Sequence, residues 1–314
     1  MAETVPQWIS QHAHPLTTLD PQAPLADLLP LRDMARDATV VALGVSTRQA
    51  HELSVIAHRI LRFLVEELGF RSLALEGDDA GRLKLDEYLR TGQGDPRALL
   101  ADARSFWQTE EILGVIRWMR AHNERHPADP VRFAGVLDHP GQATPQPDGL
   151  EAIERRLAED TIRWHEHTGD KIVYWGGIAH TANGAPRTVS PSSPPATHHN
   201  AGSHLRERFG PGYLSLGLTF HHGSLPYPVP APPADFAETP LGAAGPDTFL
   251  LDLRAERPDP VRAWSDAPTR TRLIGPVYDP GDDAAYHLSG GSLTDWFDVI
   301  AHRRQVTPVH LITG

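Results

Sequence analysis

Short runs of continuous rather than alternating apolar residues recur along this chain. They fall at 39–43 (TVVAL), 72–75 (SLAL), 131–137 (VRFAGVL), 171–175 (KIVYW), 213–220 (YLSLGLTF) and 248–253 (TFLLDL). A strand that is apolar on both sides has to be covered on both sides, and helical crossovers are what usually cover it. Segments of helical period lie between several of these runs. In SVIAHRILRFLVEELG, Ile56, Ile60, Leu64 and Leu68 form one stripe and Gly69 stands where a helix stops. TEEILGVIRWMRAHN (109–123) opens with Thr109 as its expected N-cap and acidic residues in its first turn, and 148–167 also reads as a helix. The repetition predicts an α/β protein with a mostly parallel central sheet flanked by helices. We expect one domain over 1–314 with a helical insertion or cap at roughly 80–125. The proline-, serine- and glycine-rich stretches 139–149, 185–203 and 227–246 read as loops, the last two as candidate lids.

Composition narrows the function classes. The net charge of −11 argues against nucleic acid or an anionic membrane as partner. The chain has no cysteine, which removes disulfides, thiolate metal sites and cysteine nucleophiles together. No stretch approaches the roughly 20 apolar residues of a transmembrane helix, and the N-terminal residues lack a signal-peptide pattern. A cytoplasmic protein acting on a small molecule is expected; oligomeric state leaves no signature.

In open α/β sheets, ligands bind beyond the carboxyl ends of the strands. Applied here, that rule collects Ser46, Thr47 and Arg48 after the first run, Glu76 after the second and Asp138 with His139 after the third. His180 follows the fourth, His221 and His222 the fifth, Asp252 and Arg254 the sixth, and His302 ends a late apolar segment. The adjacent pairs His198–His199 and His221–His222 lack the spacing of HExxH, so no metal is expected. No G-x-S-x-G elbow is present for a serine triad.

The blocks VVALGVSTRQAHEL, HRILRFLVEELGFRSLALEGD, FWQTEEILGVIRWMRAHN, VRFAGVLD, KIVYWGGIAHTANG, RFGPGYLSLGLTF, GPVYDP and WFDVIAH together resemble the erythromycin esterase family, in the family's order and nearly end to end. The family motif G-E-x-T-H-G-x-x-E stands here as G-V-S-T-R-Q-A-H-E, from Gly44 to Glu52. Gly44, Thr47 and Glu52 are kept, whereas the glutamate is Val45, the histidine Arg48 and the second glycine Gln49. The resemblance implies that the lost histidine is the metal-independent general base of ester or lactone hydrolysis. It also implies that Glu76 is the acid paired with it, that His180 matches the last histidine of W-A-H-N-x-H, and that His302, with His287 as rival, matches a C-terminal active-site histidine. The earlier histidine and asparagine of that second motif are Gly177 and Ile178 here.

An arginine stays protonated at accessible pH and cannot serve as that base. Arg48 facing Glu76 would weaken the carboxylate as a base, or would hold an oxyanion. Proton transfer would then fall to His302 or His180, whose ordinary pKa of roughly 6.5 suits it. The reading placed first is a non-hydrolytic tailoring enzyme, an isomerase, cyclase or lyase acting on a macrolide- or polyketide-like scaffold. The alternatives are a hydrolase with a relocated base and an inactive small-molecule-binding member. Catalytic candidates are Glu76, His302, His180 and Arg48. Substrate-contact candidates are Ser46, Thr47, Glu52, Trp107, Asp138, His221 and His287. No cofactor is expected.

Overall fold

The computed structural model describes residues 3–77, 79–135, 149–192 and 194–312. Its main element is a nine-stranded sheet to which each of the apolar runs contributes a strand. Across the sheet the order is His14–Pro15, Thr248–Asp252, Val299–Val306, Tyr213–Ser224, Val40–Val45, Lys171–Gly177, Phe70–Leu75 and Arg132–Phe133, with Pro228–Val229 pairing to the end of Tyr213–Ser224 off this path. From Val299–Val306 to Arg132–Phe133 neighbouring strands run parallel. The Val40–Val45 strand is buried at every position, as its continuous apolarity demands.

Alternation sorts the side chains into two layers. Val41, Leu43 and Val45 face the helix His51–Leu68, with Leu53, Ile56 and Ile60 in the same core cluster. Val40 and Ala42 face the opposite side, with Ala158 of Leu150–Thr168 and Leu205 of Ala201–Phe209. His51–Leu68 ends at Gly69, whose φ of 72° places it in the left-handed region. Helix Glu110–Arg125 starts where Thr109 accepts a hydrogen bond from Ile112 N. Between the strands Phe70–Leu75 and Arg132–Phe133, short helices Asp79–Arg82, Leu85–Thr91 and Pro96–Leu100 precede Glu110–Arg125. Leu85, Leu89, Leu100 and Ile116 from this region join the core cluster of His51–Leu68.

Four sequence expectations are corrected. Thr248–Asp252 runs antiparallel, pairing Asp252 with Val299 at the start of a parallel strand. Asp252 and Arg254 therefore sit at the opposite end of the sheet from the predicted crevice, where Arg254 donates to the carbonyl of Met34. Val299–Val306 continues past His302, which is an interior strand residue paired with Thr219 rather than a strand end. The stretch 185–203 is not simply a loop. Arg187–Val189 and Ala196–His198 form an antiparallel edge of a second, four-stranded sheet, with His287–Gly291 and Thr269–Arg272 completing it. Such short strands between prolines carry too few apolar residues to register as a run. Likewise 227–246 contains the strand Pro228–Val229 and the helix Glu238–Gly242.

Candidate active site

The turn after Val40–Val45 is pinned from both sides. Ser46 N donates to the Leu218 carbonyl at 3.0 Å, and the Ser46 carbonyl accepts from Ile274 N at 2.9 Å. Ser46 and Thr47 are buried, and Thr47 Oγ1 accepts from Gln49 N, so these two residues build the turn. Arg48 projects from it into a small recess lined by Val45, Ser54, Phe106, Trp107, Thr109, Ile112 and Trp175. Its guanidinium carbon lies 4.6 Å from the centre of the Phe106 ring and 6.0 Å from that of Trp107. Stacking of this kind suits the weakly hydrated guanidinium and steadies its plane.

Arg48 forms an ion pair with Glu76 Oε2, which also accepts from Gly177 N at 3.0 Å. The other oxygen, Oε1, lies 3.2 Å from His180 Nε2. His180 comes from the short helix Ile178–Thr181 that follows the Lys171–Gly177 strand, and its Nδ1 donates to Glu154 Oε1 at 2.6 Å. Glu154 is buried, and its second oxygen accepts from Ala201 N at 2.9 Å. The result is a line of alternating charge: Arg48, Glu76, His180, Glu154.

Two glycines permit it. Gly44 stands in register between Gly176 and Gly217, and a Cβ on Gly44 would come within 2.0 Å of Thr181 Oγ1. The bare backbone there lets the His180 helix lie directly on the sheet. A Cβ at Gly177 would lie 3.1 Å from the Arg48 guanidinium. Gly177 is the position at which the resemblance expects a histidine, and Arg48 stands at another. The two departures from the pattern fit each other: the longer side chain fills space that the glycine leaves open.

The line of charge determines its own protonation. Burial favours the neutral form of Glu76, but His180 and Arg48, with the Gly177 N–H, outweigh it and hold the carboxyl well below its usual range. Burial opposes the His180 imidazolium as well, and the two carboxylates overcome this and push its pKa up to about 10. Glu154, despite burial, is drawn down to about 2, chiefly by His180. His180 is thus a fixed cation at neutral pH rather than a base near its ordinary pKa. Between Arg48 and Glu154 the formal charges cancel.

The other expected site residues lie elsewhere. His302 is fully buried, shares a 2.9 Å hydrogen bond with Thr219, and packs on Phe249. Burial pushes its pKa down to about 3, so it is a neutral core histidine, and no described contact joins it to Glu76. His221 pairs with His222 through ring nitrogens 2.9 Å apart, and burial with that neighbour lowers its pKa to about 4. His287 belongs to the second sheet, where its ring bonds the Ala284 carbonyl and meets Phe236. Glu52 accepts from the backbone and hydroxyl of Thr307 at 2.7 and 2.9 Å, tying the C-terminal strap to the helix start. Trp107 is a recess wall. Asp138 lies outside the described residues. So the structure joins Arg48, Glu76 and His180, lines them with Trp107, and separates off His302, His221, His287 and Glu52.

Glu154 was missed in the sequence. It sits on an unremarkable helix face, and only the docking of Ala201–Phe209 and Ile178–Thr181 beside it makes it a site residue. A family model described as erythromycin esterase matches residues 65–149 and 142–306, well over half of the chain. The chain belongs to the erythromycin esterase family.

Its relatives in the family include erythromycin esterase type II of Escherichia coli, 28% identical over 130 residues, which are 41% of this chain and 30% of that protein. A putative hydrolase of Bacillus subtilis, YbfO, is 29% identical over 129 residues, 41% of this chain and 28% of that one. The match thus spans less than a third of either relative's length. Among solved structures, a succinoglycan biosynthesis protein superposes with a TM-score of 0.81 at 24% identity, covering 98% of this chain and 97% of that one. An erythromycin esterase in an open conformation gives 0.69 at 14% identity, covering 96% and 99%. These superpositions establish a shared fold.

Proposed function

We propose that this protein is an erythromycin esterase-like enzyme that performs a metal-independent, non-hydrolytic proton shift on a macrolide- or polyketide-like small molecule. The observation that carries the reading is the Arg48–Glu76 pair. Where the family pattern has a histidine able to activate water, a permanent cation holds the carboxylate, and His180, the imidazole in contact with Glu76 among the described residues, is itself protonated. Among the described residues, that arrangement leaves no neutral imidazole on Glu76 to receive a proton from water. A carbonyl oxygen entering the recess can take the Arg48 N–H groups in place of Glu76 Oε2. Freed from the guanidinium, Glu76 becomes the stronger base and accepts a proton from the carbon next to that carbonyl, while Arg48 holds the enolate oxygen. Return of the proton to a different carbon isomerises the substrate without change of mass. His180 keeps Oε1 in place throughout.

The recess as placed holds about 10 Å³, room for roughly one water. Substrate entry therefore requires the Phe106–Trp107 wall to swing away. A second reading, ester or lactone hydrolysis, is favoured by the hydrolase names of the relatives.

The deciding experiment incubates the purified protein with a macrolide and polyketide-lactone panel in D2O, beside Glu76→Gln. Deuterium uptake or a changed retention time without gain of water, lost in the variant, is the expected result. Gain of one water would establish hydrolysis instead, and ligand-induced thermal stabilisation with no product would establish a binding role. Arg48→His with Val45→Glu should introduce lactone hydrolysis; a folded but inert double variant would show that more than these two positions separates this chain from the hydrolases.

A further inference from the structure

A second polar cluster lies where the segment after Val299–Val306 meets the starts of two helices. His51 begins the helix His51–Leu68, Glu111 lies in the first turn of Glu110–Arg125, and His310 belongs to the strap that follows the last strand of the main sheet. His51 Nδ1 is 2.6 Å and His310 Nδ1 2.8 Å from the same oxygen, Glu111 Oε1. The imidazole rings meet edge to face with centroids 5.0 Å apart. One potential ligand atom from each residue lies within 4.8 Å of the others.

The backbone fixes this meeting. His51 N donates to the Thr307 carbonyl at 2.9 Å, Val309 N to Gln49 O at 2.9 Å, Glu110 N to His310 O at 2.8 Å and Ile312 N to Gln108 O at 3.0 Å. The strap thus accepts the first backbone N–H of both helices. Glu111 is buried, with its carboxylate also facing the His310 backbone N–H at 3.2 Å. His51 is partly exposed and the His310 ring mostly so, which leaves an approach from solvent.

We propose that His51, Glu111 and His310 form a binding site for one divalent transition-metal ion of the zinc, cobalt or nickel class. Two imidazoles and one carboxylate are a common donor set for such ions, with a fourth position left to water. A tetrahedral ion with bonds of roughly 2.0–2.1 Å sets its ligand atoms about 3.3 Å apart. The present separations of 2.6 and 2.8 Å are those of hydrogen bonds, and small turns of the His51 and His310 rings, both partly exposed, open them to that spacing. The ion replaces the protons now shared with Glu111, so binding strengthens as pH rises. Its role is to lock the strap across both helix starts. These helices also supply Ser54, Thr109 and Ile112 to the recess beside Arg48, so the ion stiffens that wall without entering the chemistry at Glu76.

The test titrates Co(II) into the full chain, without an affinity tag, at pH 7.5 and follows the visible d–d absorption, with Zn(II) calorimetry and thermal melts in parallel. One ion per chain, an intense tetrahedral-type spectrum displaced by Zn(II), and a raised Tm are expected. His310→Ala and Glu111→Gln should each weaken binding by at least about tenfold. His310→Ala alters a mostly exposed ring, so it keeps the fold and isolates the ligand. Absence of a saturable Co(II) band in the wild type would overturn the proposal. So would unchanged affinity in His310→Ala, since binding would then belong to other histidines of the chain.

Discussion

The cluster at the sheet rim and the one at the strap are built from the same residue types in inverse proportion. At the sheet rim one histidine, His180, lies between two carboxylates, Glu76 and Glu154. At the strap one carboxylate, Glu111, lies between two histidines, His51 and His310. The stoichiometry sets the chemistry. Two buried carboxylates hold a proton on His180 through the whole neutral range. In the second cluster a single carboxylate draws on two imidazoles. It raises His51 by hydrogen bonding and is itself held down at about 2, with burial opposing and both histidine hydrogen bonds lowering it. The first cluster is closed and internally neutral, whereas the second keeps donor atoms facing solvent.

Breaking the closed cluster should produce the largest effect. Glu76→Ala leaves Arg48 and His180 as partly buried cations without their shared partner, and we expect a loss of about 3–5 kcal/mol, read as a fall in thermal midpoint of roughly 5–8 °C. A change within a degree or two would show that water already screens the pair.

An intermediate effect comes from pH. The folded pKa of His180, about 10, lies above its ordinary 6.5, so its contribution to stability is complete below 6.5 and is lost as pH rises toward 10. Glu154 lies below its ordinary 4.5, at about 2, so its contribution is present above 4.5 and is lost as pH falls toward 2. Buried, neutral His302 and His221, with folded pKa values of about 3 and 4, lose their contribution as pH falls below 6.5, so thermal midpoints should be highest near pH 6.5. His180→Gln should shrink the alkaline decline, leaving the smaller part that His51, also raised, contributes in the same direction. An alkaline limb identical in the variant would remove His180 from the account.

The smallest effect belongs to the open cluster. His310→Ala, without added metal, should change stability by no more than about 0.5 kcal/mol, because the ring is mostly exposed and the strap is held by its backbone. A loss of several kcal/mol in chemical denaturation would show that the Glu111–His310 contact itself anchors the strap.

Much of the frame was legible in order. Continuous apolar runs located the strands because burial on both faces leaves no room for alternation, and Gly69 and Thr109 marked helix ends by local backbone chemistry. The strand-end rule led to Arg48, Glu76 and His180, which do converge. It misplaced Asp252 and His302 for a definite reason: strand direction and length are set by pairing partners, and apolarity is the same read forwards or backwards. The His310 strap and the short strands of the second sheet carry hydrogen bonds but little apolar surface, so no hydrophobic pattern announces them.

By itself, then, the sequence determined the alternation of buried strands and amphipathic helices, and a guanidinium at residue 48, where the resemblance to the family implies a histidine. Both are local facts of side-chain chemistry. Only the tertiary structure decided that Gly177 makes room for that guanidinium, that Glu154 is the second carboxylate on His180, and that His51 and His310 share Glu111. Protonation depends on which charges stand within a few ångströms of each other in a medium from which water is excluded. Those distances arise from how helices and strap dock on the sheet, far apart in the chain.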